Sequence, residues 1–275
     1  MLRRLLKLGA FGLVVAAGLF LWGWLGARAD PVVRRATIEL PRWPDGAGPV
    51  TVALLSDIHI GSSVTDDGRL RRIVAQVNAL RPDLVLLAGD FVAGHDPEEG
   101  RRYAARLTGP LSGLQARLGV VAVLGNHDHW TDPVAVRTAL EQARVTVVEN
   151  GTVVRGPLAI IGIGDAHTGH DSLPAALAAF HRVKGAPLML THSPDVAAGL
   201  PPGGGVLLAG HTHCGQAVLP WWGPISVPSR YGTRYLCGVI REGRNTIIVT
   251  GGVGTSVVPL RFGAPPDLWL LTIGG

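Results

Sequence analysis

Residues 50–59 read VTVALLSDIH, a short apolar run that ends in an aspartate and a histidine. An apolar run of this length is typical of a strand buried on both faces of a sheet. Four further runs have the same form, each apolar for four or five residues and followed directly, or after one glycine, by polar residues. They occupy residues 84–88, 120–124, 187–190 and 206–209. The sequence therefore predicts five buried strands with polar side chains at their carboxyl ends.

The polar residues that follow these strands are of the types that bind metal ions. They are Asp57, His59, Asp90, Asn126, His127, His192, His211 and His213. A single Asp or His at a strand end is usually a cap, but loops that leave the carboxyl ends of strands converge on one crevice. Carboxylate, imidazole and amide donors suit Mn, Fe or Zn, and there are more of them than one ion needs. The set as a whole therefore predicts a site for two divalent metal ions.

The segments between the strands indicate an α/β fold. Apolar residues recur at helical spacing over 67–80, and Pro82 would end that helix. We expect further helices around 103–118 and 133–143. The stretches 145–163 and 235–273 alternate apolar runs with Gly-rich turns and are predicted to be rich in strands. We therefore expect a sandwich of two β-sheets flanked by helices.

The motifs Asp-x-His, Gly-Asp, Gly-Asn-His-Asp, Thr-His and Gly-His-Thr-His, in this order over residues 57–213, resemble those of the calcineurin-like metallophosphoesterase superfamily. The chain ending at 251–256 and 260–266 resembles a membrane-associated branch, which includes bacterial envelope phosphodiesterases and UDP-2,3-diacylglucosamine pyrophosphatases. The resemblance implies a first ion at Asp57, His59 and His213, a second at Asn126, His192 and His211, and a bridging carboxylate at Asp90.

The same resemblance implies catalytic roles for Asp90 and His127. Two metal ions would activate a water for in-line attack on phosphorus, and His127 would stabilise the transition state or protonate the leaving group. Asp128 is a candidate to orient a neighbouring histidine. The sequence departs from the family pattern at 91–94, which read FVAG and lack an aspartate that many relatives carry. The partner that orients His127 therefore stays open.

Other histidines and both cysteines lie outside the matched motifs. For the histidines we expect surface or supporting roles; they are His95, His129, His167, His170 and His181. Two cysteines do not make a disulfide framework. We expect Cys214 to be a small buried residue, and the sequence leaves open whether it pairs with Cys237.

The first 29 residues indicate a membrane anchor or a cleaved export signal. Residues 8–26 carry no charge, and their length just spans a bilayer. The small-x-small sequence at 27–29 has the form of a cleavage site. We expect a single helix in the bacterial inner (cytoplasmic) membrane, a linker at 30–48 and the catalytic domain at 49–275. Basic residues flank the apolar run on both sides, so the sequence does not decide on which side of the membrane the catalytic domain lies.

The expected substrate carries a phosphodiester or pyrophosphate bond and is lipid-linked or part of the cell envelope, for example UDP-2,3-diacylglucosamine. Trp221 and Trp222, if exposed, would contact acyl chains or the bilayer; otherwise they pack in the core. Arg230 and Arg234 are candidates for a second phosphate or for salt bridges. The alternatives are a broad phosphatase or phosphodiesterase on soluble esters and a metal-stabilised scaffold without activity. The net charge of +5 is scattered, so we expect no nucleic-acid partner, and we expect a monomer.

Overall fold

The computed structural model describes residues 2–275, with all side chains in that range except those of Leu2 and Leu5. The helices are α1 (Leu2–Arg28), α2 (Asp67–Ala79), α3 (Pro97–Ala104), α4 (Thr108–Leu111), α5 (Asn126–Trp130), α6 (Pro133–Gln142) and α7 (Leu173–Phe180). The first strands are β1 (Val32–Glu39), β2 (Val50–Leu55), β3 (Leu84–Ala88), β4 (Val120–Val123), β5 (Val145–Val147), β6 (Gly151–Arg155) and β7 (Leu158–Gly162). The later strands are β8 (Ala186–Leu190), β9 (Val206–Ala209), β10 (Val218–Leu219), β11 (Gly223–Pro224), β12 (Gly238–Glu242), β13 (Asn245–Val249) and β14 (Asp267–Gly274).

Two six-stranded sheets form the body of the fold, as the sequence predicts. The first has the order β1-β14-β2-β3-β4-β5 and the second the order β12-β13-β9-β8-β7-β6. The core between them is apolar, and Val52, Leu86, Leu188 and Leu208 in it are fully buried. Helices α2 and α6 cover the outer face of the first sheet, and α7 covers that of the second. The result is an α/β sandwich of two sheets flanked by helices.

All five predicted ligand-bearing strands are present, and they are divided between the two sheets. Strands β2, β3 and β4 are parallel neighbours in the first sheet, and β8 and β9 are parallel neighbours in the second. Parallel strands end at the same edge of a sheet, so the polar residues after them meet at one edge of the sandwich.

One predicted helix and the predicted linker are wrong in their bounds. The helix expected at 103–118 is replaced by α3 and α4, because Asp96 accepts hydrogen bonds from the backbone of Glu98 and Glu99 and starts a helix earlier. The expected linker at 30–48 contains β1, which pairs with β14 along its whole length. This strand lies at a sheet edge and is mostly exposed, so its sequence lacks a continuous apolar run.

Helix α1 projects from the domain and touches it only through its last turns. Residues 6–28 are long and apolar enough to cross a membrane by length and composition. Gly23 and Ala27 are buried, whereas Leu13 and Phe20 are exposed. The helix is therefore held at one end and leaves an apolar surface free at the other.

Candidate metal centre

The structure brings the three residues expected at the first ion to one point at the edge of the sandwich. The Nε2 atoms of His59 and His213 lie 3.3 Å apart, and His213 Nε2 lies 3.4 Å from Asp57 Oδ1. Asp90 Oδ2 lies 3.5 Å from His59 Nε2. All four side chains are buried. This group can surround one cation with three nitrogen or oxygen donors and a shared carboxylate.

The residues expected at the second ion converge beside the first group. His192 Nε2 lies 3.1 Å from Asn126 Oδ1 and 3.1 Å from His211 Nδ1. The same nitrogen lies 3.4 Å from Asp90 Oδ2. One carboxylate oxygen of Asp90 therefore stands between the two groups, which is the position of a bridging ligand.

Backbone carbonyls fix the orientation of two of these imidazoles. His192 Nδ1 lies 2.6 Å from the carbonyl oxygen of Ala88, and His211 Nε2 lies 2.7 Å from that of Pro228. A carbonyl only accepts, so these nitrogens carry the protons and donate them. The opposite nitrogens, which face each other, are left to bind a cation. Metal-bound histidines are oriented by such outer hydrogen bonds in general.

The surroundings of the Asp57 carboxylate indicate that a cation fits this pocket. Its side chain is fully buried, and its Oδ1 atom has no hydrogen-bond donor among the residues that the structure describes. A buried carboxylate oxygen without a partner is costly, and a metal ion at this position removes the cost. The donor set around Asp57 therefore fits a divalent ion.

Backbone strain is concentrated at the same residues. Five of the seven candidate ligands have positive φ, with values between 48° and 71°: Asp57, His59, Asp90, His211 and His213. Such conformations cost about 1–3 kcal/mol each and are typical of functional sites. Gly254 donates from its backbone to the carbonyl of Asp57, and the backbone of His211 donates to Asp57 Oδ2. Strand-end loops that hold each other in this way present the side chains in a fixed arrangement.

The sequence profile of the calcineurin-like phosphoesterase family matches residues 50–215. The chain belongs to this family. It is therefore a metal-dependent phosphoester hydrolase, of a family that usually binds two divalent metals.

Several relatives of this phosphoesterase extend over almost the whole chain. It is 30% identical to the uncharacterised metallophosphoesterase YkuE of Bacillus subtilis strain 168, over 99% of this chain and 98% of the relative. It is 28% identical to a transmembrane protein with metallophosphoesterase domain of Danio rerio, over 93% of this chain and 60% of the relative. An uncharacterised metallophosphoesterase of Helicobacter pylori strain 26695 is 28% identical, over 99% of this chain and 71% of the relative.

Burial and the close packing of charges set the protonation of the phosphoesterase site. Burial raises the pKa of Asp57 to about 7, although His192 opposes the rise. Burial lowers the pKa of His59 and of His211 to about 3, so both rings are neutral ligands at neutral pH. Burial opposes charge on His192 too, but the carboxylate of Asp90 outweighs it and raises the pKa of His192 well above its ordinary value.

His127 and Asp128 have partners that the sequence did not indicate. His127 donates from its backbone to Asp90 Oδ1 over 2.8 Å, and its Nδ1 lies 3.0 Å from the carbonyl oxygen of Gly94. A backbone carbonyl therefore orients His127 at the place where the expected aspartate is missing. Asp128 accepts hydrogen bonds from the backbone of Gly125, Asp90, Phe91 and Val92. The expectation that Asp128 orients a histidine is wrong, because both its oxygens hold the loop of Asp90.

Two openings lead to the candidate ligands. A cleft of about 260 Å³ is lined by His59, His127, His95 and Ser256, with the Ser256 hydroxyl 3.5 Å from His127 Nε2. A second pocket of about 360 Å³ is bordered by His213 and is mainly apolar; its other lining residues include Ala217, Ile225, Val257 and Val258. The two openings share Ser256, Val257 and Val258, so they are neighbours on the surface of the site.

Arg261 supports the site and was missed as a functional residue. Its buried guanidinium donates to the carbonyls of Gly251, Gly254 and His213, and it lies 3.2 Å from His213 Nδ1. Among the described residues, His213 Nδ1 therefore contacts this guanidinium and not a backbone carbonyl of the kind that orients His192 and His211. The only signal in the sequence was the place of Arg261 in the motif at 260–266.

The remaining histidines divide into two groups. His95 packs edge-on against His127, and His167 packs against His211, so both border the site. His129 stacks on His170 and its Nε2 lies 3.2 Å from Glu149 Oε1, away from the candidate ligands. His181 caps the end of α7.

The structure shows the pairing of the two cysteines and the contacts of the two candidate phosphate-binding arginines. Cys214 and Cys237 form a disulfide, so Cys214 is more than a small buried residue. Arg234 forms a salt bridge with Glu242, whereas Arg230 is exposed and donates to the carbonyl of Ala166. Arg234 is therefore already paired in this structure.

Proposed function

We propose that this phosphoesterase is anchored in a membrane by α1 and hydrolyses a phosphodiester or pyrophosphate bond in an amphiphilic, envelope-type substrate. The observation that carries the two-metal part is the position of Asp90 between the two ligand groups, with its Oδ2 atom 3.5 Å from His59 Nε2 in one and 3.4 Å from His192 Nε2 in the other. The first ion is assigned to Asp57, His59 and His213, the second to Asn126, His192 and His211. Bound divalent ions would polarise the phosphoryl oxygens and lower the pKa of the attacking water.

The residues of the chain itself then perform distinct tasks. Asp90 holds the two sites together through Oδ2, and its Oδ1 accepts from the backbone of His127. Because Nδ1 of His127 donates to Gly94, Nε2 is the nitrogen that faces the cleft. This nitrogen is placed to stabilise the charged phosphoryl group or to deliver a proton to the leaving oxygen.

The amphiphilic substrate is supported by the apolar pocket that borders His213. The lining of this pocket is mainly apolar, and Ile225, Val257 and Val258 offer contact to hydrocarbon. A substrate of the type of UDP-2,3-diacylglucosamine has both a phosphate group and acyl chains.

The disulfide supports a location of the domain on the oxidising side of the membrane. Disulfides persist in secreted and extracytoplasmic proteins and are rare where thiols are kept reduced. The Cys214–Cys237 bond lies directly beside the candidate ligand His213. We therefore place the catalytic domain outside the cytoplasm of the bacterial cell.

The test is an assay with the full chain in nanodiscs, loaded in turn with Mn, Fe and Zn. Three substrates are compared: UDP-2,3-diacylglucosamine, a soluble phosphodiester such as bis(p-nitrophenyl) phosphate, and a soluble monoester. We expect the highest kcat/KM for the diacylated compound. Equal rates on the lipid and soluble esters would favour a broad phosphatase or phosphodiesterase instead. Metal binding without turnover of any ester would favour a scaffold.

A further inference from the structure

An exposed apolar surface lies beside the second pocket. It consists of Trp221, Trp222 and Ile225 from the hairpin β10–β11 and of Val257 and Val258 from a later loop, and we call it the apolar rim. Trp221 is 100% exposed, Trp222 86% and Val257 97%. The tryptophans do not pack on the core, which was the alternative in the sequence. Exposed apolar patches of this kind mark interaction sites.

Hydrogen bonds join the two parts of the apolar rim into one surface. The side-chain amide of Gln216, at the base of the hairpin, donates to the carbonyls of Ser256 and Val258 over 3.0 and 2.9 Å. The backbone of Ser256 donates in return to the side-chain oxygen of Gln216. Ile225, Val257 and Val258 also line the pocket that His213 borders. Part of the apolar rim therefore lines an entrance to the candidate metal centre.

Phe262 links the base of the hairpin to the end of α1. The backbone of Phe262 donates to the carbonyl of Gln216, and the backbone of Val218 donates to the carbonyl of Phe262. The Phe262 ring packs edge-on against Trp22 of α1, with centroids 5.6 Å apart. The apolar rim and the exit point of the helix are therefore neighbours on the molecule.

Two buried arginines fix the end of α1 relative to the site. Arg69 donates to the carbonyls of Ala27 and Ala29 at the end of the helix and to that of Val253 beside the site. The backbone of Arg261 donates to the carbonyl of Gly23. The helix end is therefore held to the same loops that support the candidate ligands.

We infer that the apolar rim docks on the bilayer face from which α1 emerges, so that the pocket beside His213 opens at the lipid–water interface. The occupant of the surface is the lipid bilayer, because the rim adjoins the one helix of the described residues that is long and apolar enough to enter it. Tryptophan side chains are favoured at this depth of a membrane. The inference rests on the proposed anchoring by α1, and it names the route by which acyl chains reach the site.

The experiment measures tryptophan quenching in the full chain without any substrate. The protein is reconstituted in nanodiscs of phosphatidylcholine, with or without bromine on the acyl chains, and compared with the double variant Trp221→Ser/Trp222→Ser. Five tryptophans remain in that variant, and Trp22 and Trp24 of α1 supply a common background. Trp43→Phe, in the turn after β1, is the matched control because it removes a partly buried indole near the far end of β14.

We expect the bromolipid to quench a clearly larger part of the emission in wild type than in the double variant, and an unchanged quenched intensity for Trp43→Phe. Trp221 and Trp222 should in addition resist quenching by aqueous acrylamide. Equal bromolipid quenching in wild type and double variant would overturn the inference. Quenching by acrylamide would then place the tryptophans in water, and protection from both quenchers would place them against a second copy or another protein.

The result is independent of the proposed enzymatic activity. Bromolipid quenching without hydrolysis of a diacylated ester leaves the docking intact and removes the substrate proposal. Hydrolysis of that ester without quenching keeps the substrate proposal and removes the docking. Far-UV circular dichroism of each variant verifies the fold.

Discussion

His192 Nε2 and His211 Nδ1 lie 3.1 Å apart, and the other nitrogen of each ring donates a hydrogen bond to a backbone carbonyl. Two nitrogen lone pairs at this distance need a positive charge between them. In the metal-free protein this charge is a proton on His192, because the pKa of that ring is raised well above its ordinary value by Asp90 despite its burial. A divalent ion would take the place of the proton.

Metal binding should therefore release protons and become tighter as the pH rises. The competing protons are on His192 and on Asp57, whose pKa burial raises to about 7. Because these groups give up their protons as the pH rises, the dissociation constant should fall between pH 6 and 8, by up to about tenfold per pH unit for each proton displaced. Titration against a metal indicator at several pH values measures it, and calorimetry in buffers of different ionisation enthalpy counts the protons. An affinity that does not change between pH 6 and 8 contradicts the prediction.

His127→Ala should separate catalysis from metal binding. The imidazole lines the cleft without belonging to either ligand group, so both ions should remain bound while kcat falls by about 10²–10⁴-fold. If Nε2 protonates the leaving oxygen, the loss should be greater for an alkyl ester than for a p-nitrophenyl ester, whose leaving group needs no proton. His181→Ala, at the end of α7, is the control.

Asp90→Asn should affect both ions at once. It removes the negative charge that stands within 3.5 Å of His59 Nε2 and 3.4 Å of His192 Nε2. We expect less than two metals per chain by elemental analysis and no measurable turnover. A variant that keeps two metals and wild-type turnover would falsify the assigned bridging role.

Much of this site could be predicted from the sequence because its ligands are local features of strands. An apolar run followed by Asp, Asn or His can be recognised in the sequence, and the parallel arrangement of the strands brings their carboxyl ends together. The contacts of Gly94 with His127 and of Arg261 with Gly251 could not be predicted, because they join backbone groups and side chains that no pattern links. Strand β1 was missed for a related reason: an edge strand needs hydrogen bonds from a partner but no apolar run.

Gly89→Ala should disturb the site through a steric clash as well as through backbone strain. Gly89 has φ +81°, and an added Cβ would lie 2.7 Å from Gly125 N and 2.8 Å from His192 Nδ1. Gly46→Ala is the matched control, since Gly46 has φ +74° and no described atom within 4 Å of its Cβ position. We expect Gly46→Ala to lower the free energy of unfolding by about 1–2 kcal/mol, because alanine is strained in the left-handed backbone conformation. Denaturant unfolding should show a larger decrease in the free energy of unfolding for Gly89→Ala, and this variant should also bind metal more weakly. Equal decreases for the two variants and unchanged metal binding would exclude the steric effect.

Removal of the disulfide should weaken the fold next to the candidate ligand His213. Cys214 and Cys237 are separated by 23 positions, and a loop of this size contributes about 3 kcal/mol by restricting the unfolded chain. The double variant Cys214→Ser/Cys237→Ser should therefore unfold at lower denaturant than wild type, and reduction of wild type should reproduce the shift. In cells, the two thiols should resist alkylation until a reductant is added. Alkylation without reductant in freshly opened cells would contradict the proposed location outside the cytoplasm.

Helix α1 should remain on the mature protein. Cleavage after Ala29 would remove Gly23 and Ala27, which are buried against the domain, and would deprive the buried Arg69 of the carbonyl of Ala27. Of the three carbonyls that Arg69 contacts, only that of Val253 would remain, and buried N–H groups without an acceptor are destabilising, so a domain that had lost the helix would be less stable than the intact chain. The intact mass of protein extracted from membranes should therefore include residues 1–29, and a truncated chain that begins at residue 30 should melt at a lower temperature. A mature chain that starts at residue 30 and is as stable as the full chain would show instead that the segment is an export signal.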